Sequence, residues 1–275
     1  MNEPLLSIVI ITYNRGDSLN KCLASLEKQT FKNFEVIIVD GDSQDNTNQV
    51  VENHSQNLKT NKYISQSTNI AKLRDYGWRK ASGKYVSWID DDVVVVPQWA
   101  QQVTNTLDNH PEIAGVSGPT LVKEKLIKNR DVFKFYKSNG LLAKIWKQYF
   151  LEGKFNQPGQ ILKNGFWTPG SNFQSSNEIS GLVEVDYLEP CNMTYRYDLV
   201  MQIDGFDYDY YKDWSEADLA FRIRELNKKL IFNPQAIVYH NISQTGSYSG
   251  RTAAKERMKD FYRFYFRHVF KPKYI

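Results

Sequence analysis

The chain has 275 residues, 41% hydrophobic and 24% charged, a globular balance that excludes disorder and fibrous architectures. No apolar run approaches the ~18–20 residues of a membrane-spanning helix, Met1-Asn2-Glu3-Pro4 lacks the pattern of a secretion signal, and Cys22 and Cys191 are too few for a disulfide framework, so the sequence reads as a soluble, cytoplasmic protein. Net charge is +4, but residues 251–275 hold eight Lys or Arg against Glu256 and Asp260, and the other 250 residues hold 27 basic and 29 acidic groups, so the body is not a nucleic-acid binder.

In chain order, Ser7–Ile11 is a β-branched run expected of a strand buried on both faces. After the turn at Tyr13–Gly16, Leu19, Cys22, Leu23 and Leu26 repeat at helical spacing, with Asp17 or Ser18 as the expected N-cap. Phe34–Val39 predicts a second strand ending at Asp40, followed by a polar turn, Gly41–Asn46, and a helix carrying Val50 and Val51. Tyr63–Ser65 gives a weaker third strand, and Ile70, Leu73 and Trp78 a helix closed by Ser82-Gly83. Tyr85–Ile89 is a strand running into Asp90-Asp91-Asp92; Pro97 opens a helix with Trp99, Val103 and Leu107 inward, and Ile113–Val116 is the next strand. This alternation predicts an α/β fold with a mostly parallel central sheet, helices on both faces and ligands at the carboxyl ends of the strands.

Residues 121–185 read as an insertion with a helical piece, Leu141–Phe150, and a mobile Gly/Ser/Asn/Pro-rich loop, Gly165–Gly181. Order returns with a strand from Val183 to Leu188, a helix near Arg196–Met201, a turn at Gly205–Asp207, a helix from Glu216 and a strand, Ala236–Tyr239, that ends at His240. The tail, 251–275, is an amphipathic helix on the wheel: Met258, Phe261, Tyr262, Tyr265, Phe266, Val269 and Phe270 lie on one side, and Lys259, Arg263, Arg267 and Lys271 on the other. Either its aromatic face packs on the body, or it lies peripherally on anionic lipid at the inner face of the membrane.

Two acidic pairs stand out. Asp90 and Asp92 are two apart at a strand end, so they project from one side and repel unless a cation or proton sits between them. Oxygen ligands suit Mg²⁺ or Mn²⁺, which take the rest of their shell from water and phosphate; a solvated acidic turn is the alternative. Glu216 and Asp218 open a helix, where Ser215 with Asp218 has the spacing of a capping box and Glu216 is free to face a cleft. His240 is either a structural residue or a metal ligand. Gly77 to Gly83-Lys84 imitates a phosphate loop, but its spacer is one residue too long and Tyr85 replaces Ser or Thr.

Ser7–Arg15, Ile38–Asp45, Lys72–Gly77, Ala81–Tyr85 and Trp88–Asp92, in that order, resemble the nucleotide-sugar glycosyltransferases of family 2, which share the GT-A fold. The similarity is dense through Gly118 and returns from Cys191 to His240. It implies a single GT-A-like domain over 1–250, with a nucleotide-binding half (1–120) and an acceptor-binding half (121–250), followed by the helix at 251–275. It implies nucleotide contacts at Thr12, Tyr13, Asn14, Arg15, Asp40, Arg74, Asp90 and Asp91, and Mn²⁺ or Mg²⁺ on Asp92 and Asp90, with His240 as a further ligand. Glu216 falls at the family's catalytic-base position, beside Asp218 as a second candidate acid; here the motif's usual Glu-Asp reads Ser215-Glu216. Cys191, Asn192, Met193 and Arg196 also match family positions, with core packing an equally good reading. The implied activity is inverting transfer of one sugar from a nucleotide-diphosphate sugar to an acceptor hydroxyl, carbohydrate or lipid-linked, in cell-surface polysaccharide or glycoconjugate synthesis. A UDP-sugar is the favoured donor, with GDP or dTDP as alternatives. No tryptophan follows an arginine, so the Gln-x-x-Arg-Trp motif of processive synthases is missing. A nucleotidyltransferase is disfavoured because residues 10–20 contain only Gly16 and no glycine-rich basic loop; a non-catalytic nucleotide- or carbohydrate-binding module is the other alternative.

Overall fold

A computed structural model describes residues 3–67, 69–123, 138–211, 213–242 and 254–270; tail residues 251–253 and 271–275, Lys271 among them, lie outside the described residues. Its centre is built from the expected β-branched runs. Strands β1 (Leu6–Thr12) and β2 (Phe34–Asp40) pair in parallel, Leu6 opposite Phe34 and Thr12 opposite Asp40. β3 (Thr60–Ile64) continues outward from β2, and β4 (Tyr85–Asp90) pairs with β1 on its other side, Ile11 opposite Asp90. The carboxyl ends of β1, β2 and β4 therefore align at one edge, with Thr12, Asp40 and Asp90 side by side.

The remaining strands are β5 (Val93–Val95), β6 (Ile113–Ser117), β7 (Thr120–Val122), β8 (Pro158–Ile161), β9 (Trp167–Pro169), β10 (Val183–Val185), β11 (Met193–Arg196), β12 (Lys229–Phe232) and β13 (Val238–His240). The large sheet has eight strands in the order β10-β12-β6-β11-β4-β1-β2-β3. β11 is antiparallel to both β4 and β6 and joins the halves of the sheet; β12 is parallel to β6, and β10 antiparallel to β12. A small sheet, β5-β13-β7, sets His240 opposite Val93 and Val122, directly after the acidic triplet.

Alternation of side chains across the sheet produces two cores. Ile8, Ile10, Val36 and Ile38 face Leu19, Leu23 and Leu26 of α1 (Gly16–Glu27), Val50 and Val51 of α2 (Thr47–His54) and Trp99, Val103 and Leu107 of α4 (Trp99–Asn109). Val9, Ile37 and Val39 face Leu73 and Trp78 of α3 (Ile70–Trp78), Leu199 and Val200 of α6 (Tyr197–Gln202), Leu219 and Ile223 of α7 (Ser215–Arg224) and Phe264 of α8 (Ala254–Phe264). α5 (Leu141–Tyr149) lies in the insertion and buries only Ala143.

Several expectations change. α1 has no cap from Asp17 or Ser18; the Gly16 amide instead donates to Asp45 Oδ2 of the neighbouring loop at 2.9 Å. The Ser215/Asp218 capping box does not form, because Trp214 precedes α7 in a left-handed conformation and Asp218 pairs elsewhere. The segment read as a mobile loop carries β9, paired with β8, and two 3₁₀ turns. The strand expected to reach Leu188 ends at Val185. Strands β11 and β12 went unread, and β11 occupies the start of the segment expected to be a helix near Arg196. The tail wheel is rotated: Phe264, Asp260 and His268 are buried, while Met258, Tyr262, Phe266 and Phe270 are exposed. Two polar residues are inside because they have partners there. Asp260 accepts from the Tyr211 and Asp213 amides, at 3.2 and 3.1 Å, and His268 Nε2 lies 2.7 Å from Asp218 Oδ1. Among the described residues no helix is long and apolar enough to cross a membrane.

One buried carboxylate ties the start of the sheet together. Glu35 accepts from Ser7 Oγ (2.8 Å), Ser82 N (2.9 Å) and Ser82 Oγ (2.7 Å). Burial works against its charge, but the hydrogen bonds from Ser82 and Ser7 outweigh it, so its pKa is lowered. Its contribution is therefore present above the unfolded pKa of ~4.3 and lost as pH falls through the depressed folded value. Glu35→Gln should cost about 1–3 kcal/mol at neutral pH. In urea unfolding across pH, the gap to the native chain should close as the solution is acidified.

Candidate functional site

The site forms where the parallel strands end. The turn after β1 and the loop after β2 are joined amide by amide: Gly41 N donates to Thr12 O (2.9 Å), Asn14 N to Ser43 Oγ (2.8 Å) and Gln44 N to Asn14 Oδ1 (2.7 Å). Asn14 supports this with a positive φ of 50°, a conformation asparagine tolerates. Tyr13 is exposed, with its ring close to Gly41, and presents an aromatic face beside the strand ends. Asp40 is buried: Oδ1 accepts from the Ser43 amide and hydroxyl, at 3.0 and 2.6 Å, and Oδ2 pairs with Lys62 at 3.2 Å.

The acidic triplet divides by residue. β4 stops at Asp90, and Asp91 turns into the protein, where its Oδ2 accepts from Thr12 Oγ1 at 2.8 Å and its Oδ1 pairs with Arg15 at 2.9 Å. Burial, with Asp92 and Asp90 alongside, pushes Asp91 up to about 7 against the pull of Arg15 and Thr12. Asp92 pairs with Arg15 through Oδ2, and its Oδ1 lies 3.2 Å from His240 Nε2. Asp90 stays 40% exposed at the mouth of the site. Asp90 and Asp92 both lie near His240, while Asp91, which shares Arg15 with Asp92, turns towards Thr12.

The donor set suits a divalent cation. Among the described residues, one ligand atom each from Asp90, Cys191 and His240 lies within 4.8 Å of the others. Cys191 is buried, with Sγ 3.7 Å from His240 Nδ1. A carboxylate oxygen, an imidazole nitrogen and a thiol are ligand types that divalent transition metals accept.

Opposite this cluster stands Glu216. Arg74, on α3, pairs Nη1 with Glu216 Oε1 and sits with Nη2 3.8 Å from Asp90 Oδ1. It reaches them because α3 lies hard against β1: a Cβ on Gly77 would clash with Val9 Cγ1. Asn69 caps α3 by accepting from Lys72 N at 3.0 Å, and its amide holds the Tyr208 and Tyr210 carbonyls. Trp214, with φ of 73°, turns the chain sharply into α7 and brings Glu216 to Arg74. Such a conformation is costly for a bulky residue, and Trp214 is held by stacking on Phe264 and by edge contacts with Trp167 and Phe261. Burial draws the Arg74 pKa downward. Asp218 is fully buried away from this group, paired with Arg222 (2.7 Å) and His268.

Asn192 and Arg196 are structural. Asn192 accepts from Trp99 Nε1 (2.8 Å) and donates to Ala236 O (2.9 Å), while Arg196 Nε donates to Ile113 O (2.7 Å). Sequence reasoning matched Cys191 to a family position but not to the metal-binding candidates; its approach to His240 brings the turn before β11 to the end of β13.

A family model described as glycosyl transferase family 2 matches residues 7–164. Among curated proteins, the chain is 38% identical over 105 residues to a validoxylamine A glucosyltransferase of Streptomyces hygroscopicus subsp. jinggangensis, covering 36% of this chain and 25% of that one. It is 29% identical over 174 residues to a GalNAc(5)-diNAcBac-PP-undecaprenol beta-1,3-glucosyltransferase of Campylobacter jejuni, covering 56% and 55%. The match thus spans a quarter to about half of these relatives' length. Its fold is similar to S. aureus TarS 1–349 in complex with UDP (TM-score 0.62, 18% identity, 97% of this chain and 67% of that one). It is also similar to the mannosyltransferase PcManGT of Pyrobaculum calidifontis in complex with GDP-Man and Mn²⁺ (TM-score 0.63, 14% identity, 99% and 67%).

Removing the guanidinium should strand a buried carboxylate. Arg74→Met is expected to cost about 3–5 kcal/mol in denaturant unfolding. Arg74→Met with Glu216→Leu should be more stable than Arg74→Met alone; a double variant no better than the single would show the pair to be uncoupled.

Proposed function

The chain belongs to glycosyl transferase family 2, and from that membership we propose that it is an inverting, non-processive glycosyltransferase moving one sugar from a nucleotide-diphosphate sugar to an acceptor hydroxyl. The observation that carries this reading is the facing pair: the Asp90/His240 cluster on one side of the site and Glu216, held by Arg74, on the other. The nucleotide lies along the ends of β1 and β2, its base against the Tyr13 ring and near Asp40, with Thr12, Asn14 and the Arg15–Asp91 pair lining the floor. Asp90 and His240, with Asp92 against His240, would hold Mn²⁺ or Mg²⁺, which when bound stabilises the negative charge developing on the leaving diphosphate.

Glu216 accepts the proton of the acceptor hydroxyl as that oxygen attacks the anomeric carbon from the face opposite the diphosphate. Arg74 pairs with Glu216 and holds it beside the Asp90 cluster. Asp218, paired with Arg222 and His268, has no part in proton transfer. A UDP-sugar is the favoured donor. The acceptor is a carbohydrate or lipid-linked glycan, in keeping with the undecaprenol-linked substrate named for the Campylobacter relative, and the pathway is cell-surface polysaccharide or glycoconjugate synthesis.

Contact with the inner face of the membrane is proposed through α8. Met258 and Tyr262 on α8, with Phe266 in the π-helical turn that follows it (Tyr265–Val269) and Phe270 beyond, form an exposed stripe, while Arg257, Arg263 and Arg267 are tied to Asp213, Asp209 and Asp207. Adhesion therefore depends mainly on aromatic insertion.

Glu216→Gln should lower kcat by about 10²–10⁴-fold while calorimetry shows UDP binding in Mn²⁺ within a few-fold of the native chain. Retained turnover would remove Glu216 from the mechanism. Asp90→Ala should abolish the Mn²⁺ dependence of UDP binding. In flotation with anionic liposomes, Tyr262→Ser with Phe266→Ser should release the protein; flotation equal to the native chain would exclude α8.

A further inference from the structure

We propose that α5 and the tip of the β8–β9 hairpin form a second membrane-contact surface, continuous with the exposed tail stripe, whose partner is an anionic lipid bilayer. This rests on the reading that the tail faces the membrane, and it extends that contact to the insertion beside Glu216.

In an ordinary surface helix the apolar arc faces the core. In α5 it faces outward. Ala143 is buried, while Leu141, Leu142 and Tyr149 are 73%, 76% and 75% exposed, and Ile145 is exposed with them. At about 100° per residue these four side chains occupy one arc on the side away from Ala143. Leaving such an arc in water is unfavourable unless something covers it.

The apolar surface continues beyond α5. Asn164 Nδ2 donates to Phe150 O at 2.7 Å, which seats the end of α5 on the turn between β8 and β9. From that turn Phe166 stacks on Phe261, with ring centroids 5.8 Å apart, and a Cβ on Gly165 would lie 2.9 Å from the Tyr265 ring. Phe261 touches Tyr262, which stacks on Phe266. Exposed Phe150, Phe166 and Trp167 therefore fill the interval between the arc of α5 and the tail stripe. Contiguous apolar surface of this extent marks an interaction site.

Charge and residue type select the occupant. Residues 138–151 hold Lys144 and Lys147 and no acid. Lys147 turns inward, over the Phe155 ring and donating to Ser138 O. Lys144 is exposed at the border of the arc, where its stem can run along apolar surface and leave the ammonium at headgroup depth. Protein–protein interface cores share the aromatics but are depleted in lysine, whereas aromatic residues bordered by lysine suit a helix lying in the plane of an anionic bilayer. The hairpin also reaches the site: Trp167 meets Trp214 edge-on at 4.8 Å, two residues before Glu216. A bilayer against this surface would hold a membrane-borne acceptor beside the base.

The test is flotation of the full chain with phosphatidylglycerol vesicles, with phosphatidylcholine vesicles as the neutral control. Leu142→Ser with Ile145→Ser should lower binding by about tenfold or more although the tail is intact, because attachment through one weak anchor is marginal. Lys144→Glu should weaken binding to phosphatidylglycerol and leave the neutral control unchanged. Urea unfolding midpoints should match the native chain, since the substituted side chains are exposed. Flotation of the Leu142/Ile145 double variant equal to the native chain overturns the α5 surface and leaves the tail contact standing. Equal binding of the native chain to both vesicles overturns the choice of anionic lipid. A native chain that does not float overturns both contacts, and a dimer in sedimentation that the same double variant abolishes would make the occupant a second copy.

Discussion

Crowding of like charge at one sheet edge is the constraint around which the molecule is arranged. Asp90, Asp91, Asp92 and Glu216 come together there, and two unit charges 4 Å apart interact by about 4 kcal/mol at an effective dielectric of 20. Among the described residues, two guanidiniums answer them. Arg15 pairs with Asp91 and Asp92, and Arg74 lies between Asp90 and Glu216. The supporting structure follows from placing those two cations. Gly77 lets α3 lie on β1, Asn69 ties the start of α3 to the approach to α7, and the loops after β1 and β2 fix the turn that carries Arg15. His240 adds a third basic group, 3.2 Å from Asp92.

Much of this was legible in the sequence, for identifiable reasons. β1 and β2 are β-branched runs buried on both faces and β4 is a short buried run leading into the acidic triplet, so composition marks them, and their last residues mark the site edge. Asp90, Asp92, Glu216 and His240 were found as residues at element ends, and the structure brings Asp90, Asp92 and His240 together with Glu216 across from them. β11 and β12 have four residues each, too few to display a period. The cap of α1 comes from Asp45, in another loop. The tail wheel failed because it sorted residues by polarity, whereas Asp260 and His268 are buried by virtue of particular partners. The Arg74–Glu216 pair and the approach of Cys191 to His240 are products of tertiary structure, and no spacing in one chain encodes them.

Glu216 and Asp218 show how two acids in one turn acquire different roles. Both are buried at the start of α7. Glu216 meets a cation that also touches the Asp90 cluster, whereas Asp218 is spent on Arg222 of its own helix and on His268 and Arg267, which fasten the turn after α8 to the body. The strained Trp214 separates the two environments and is itself clamped by α8 and the β8–β9 hairpin. The C-terminal helix is in this sense part of the wall of the site.

The antiparallel insertion of β11 has a consequence for synthesis. β4 and β6 are not neighbours; residues 193–196 lie between them and hydrogen-bond to both. While the ribosome has released only the first half of the chain, both strands present bare edges, the kind of surface that recruits other chains. Sheet closure must wait for a segment about a hundred residues downstream of β4. Co-translational maturation of this protein is thus gated late, and its nascent chain passes through a stage in which protection by chaperones matters most.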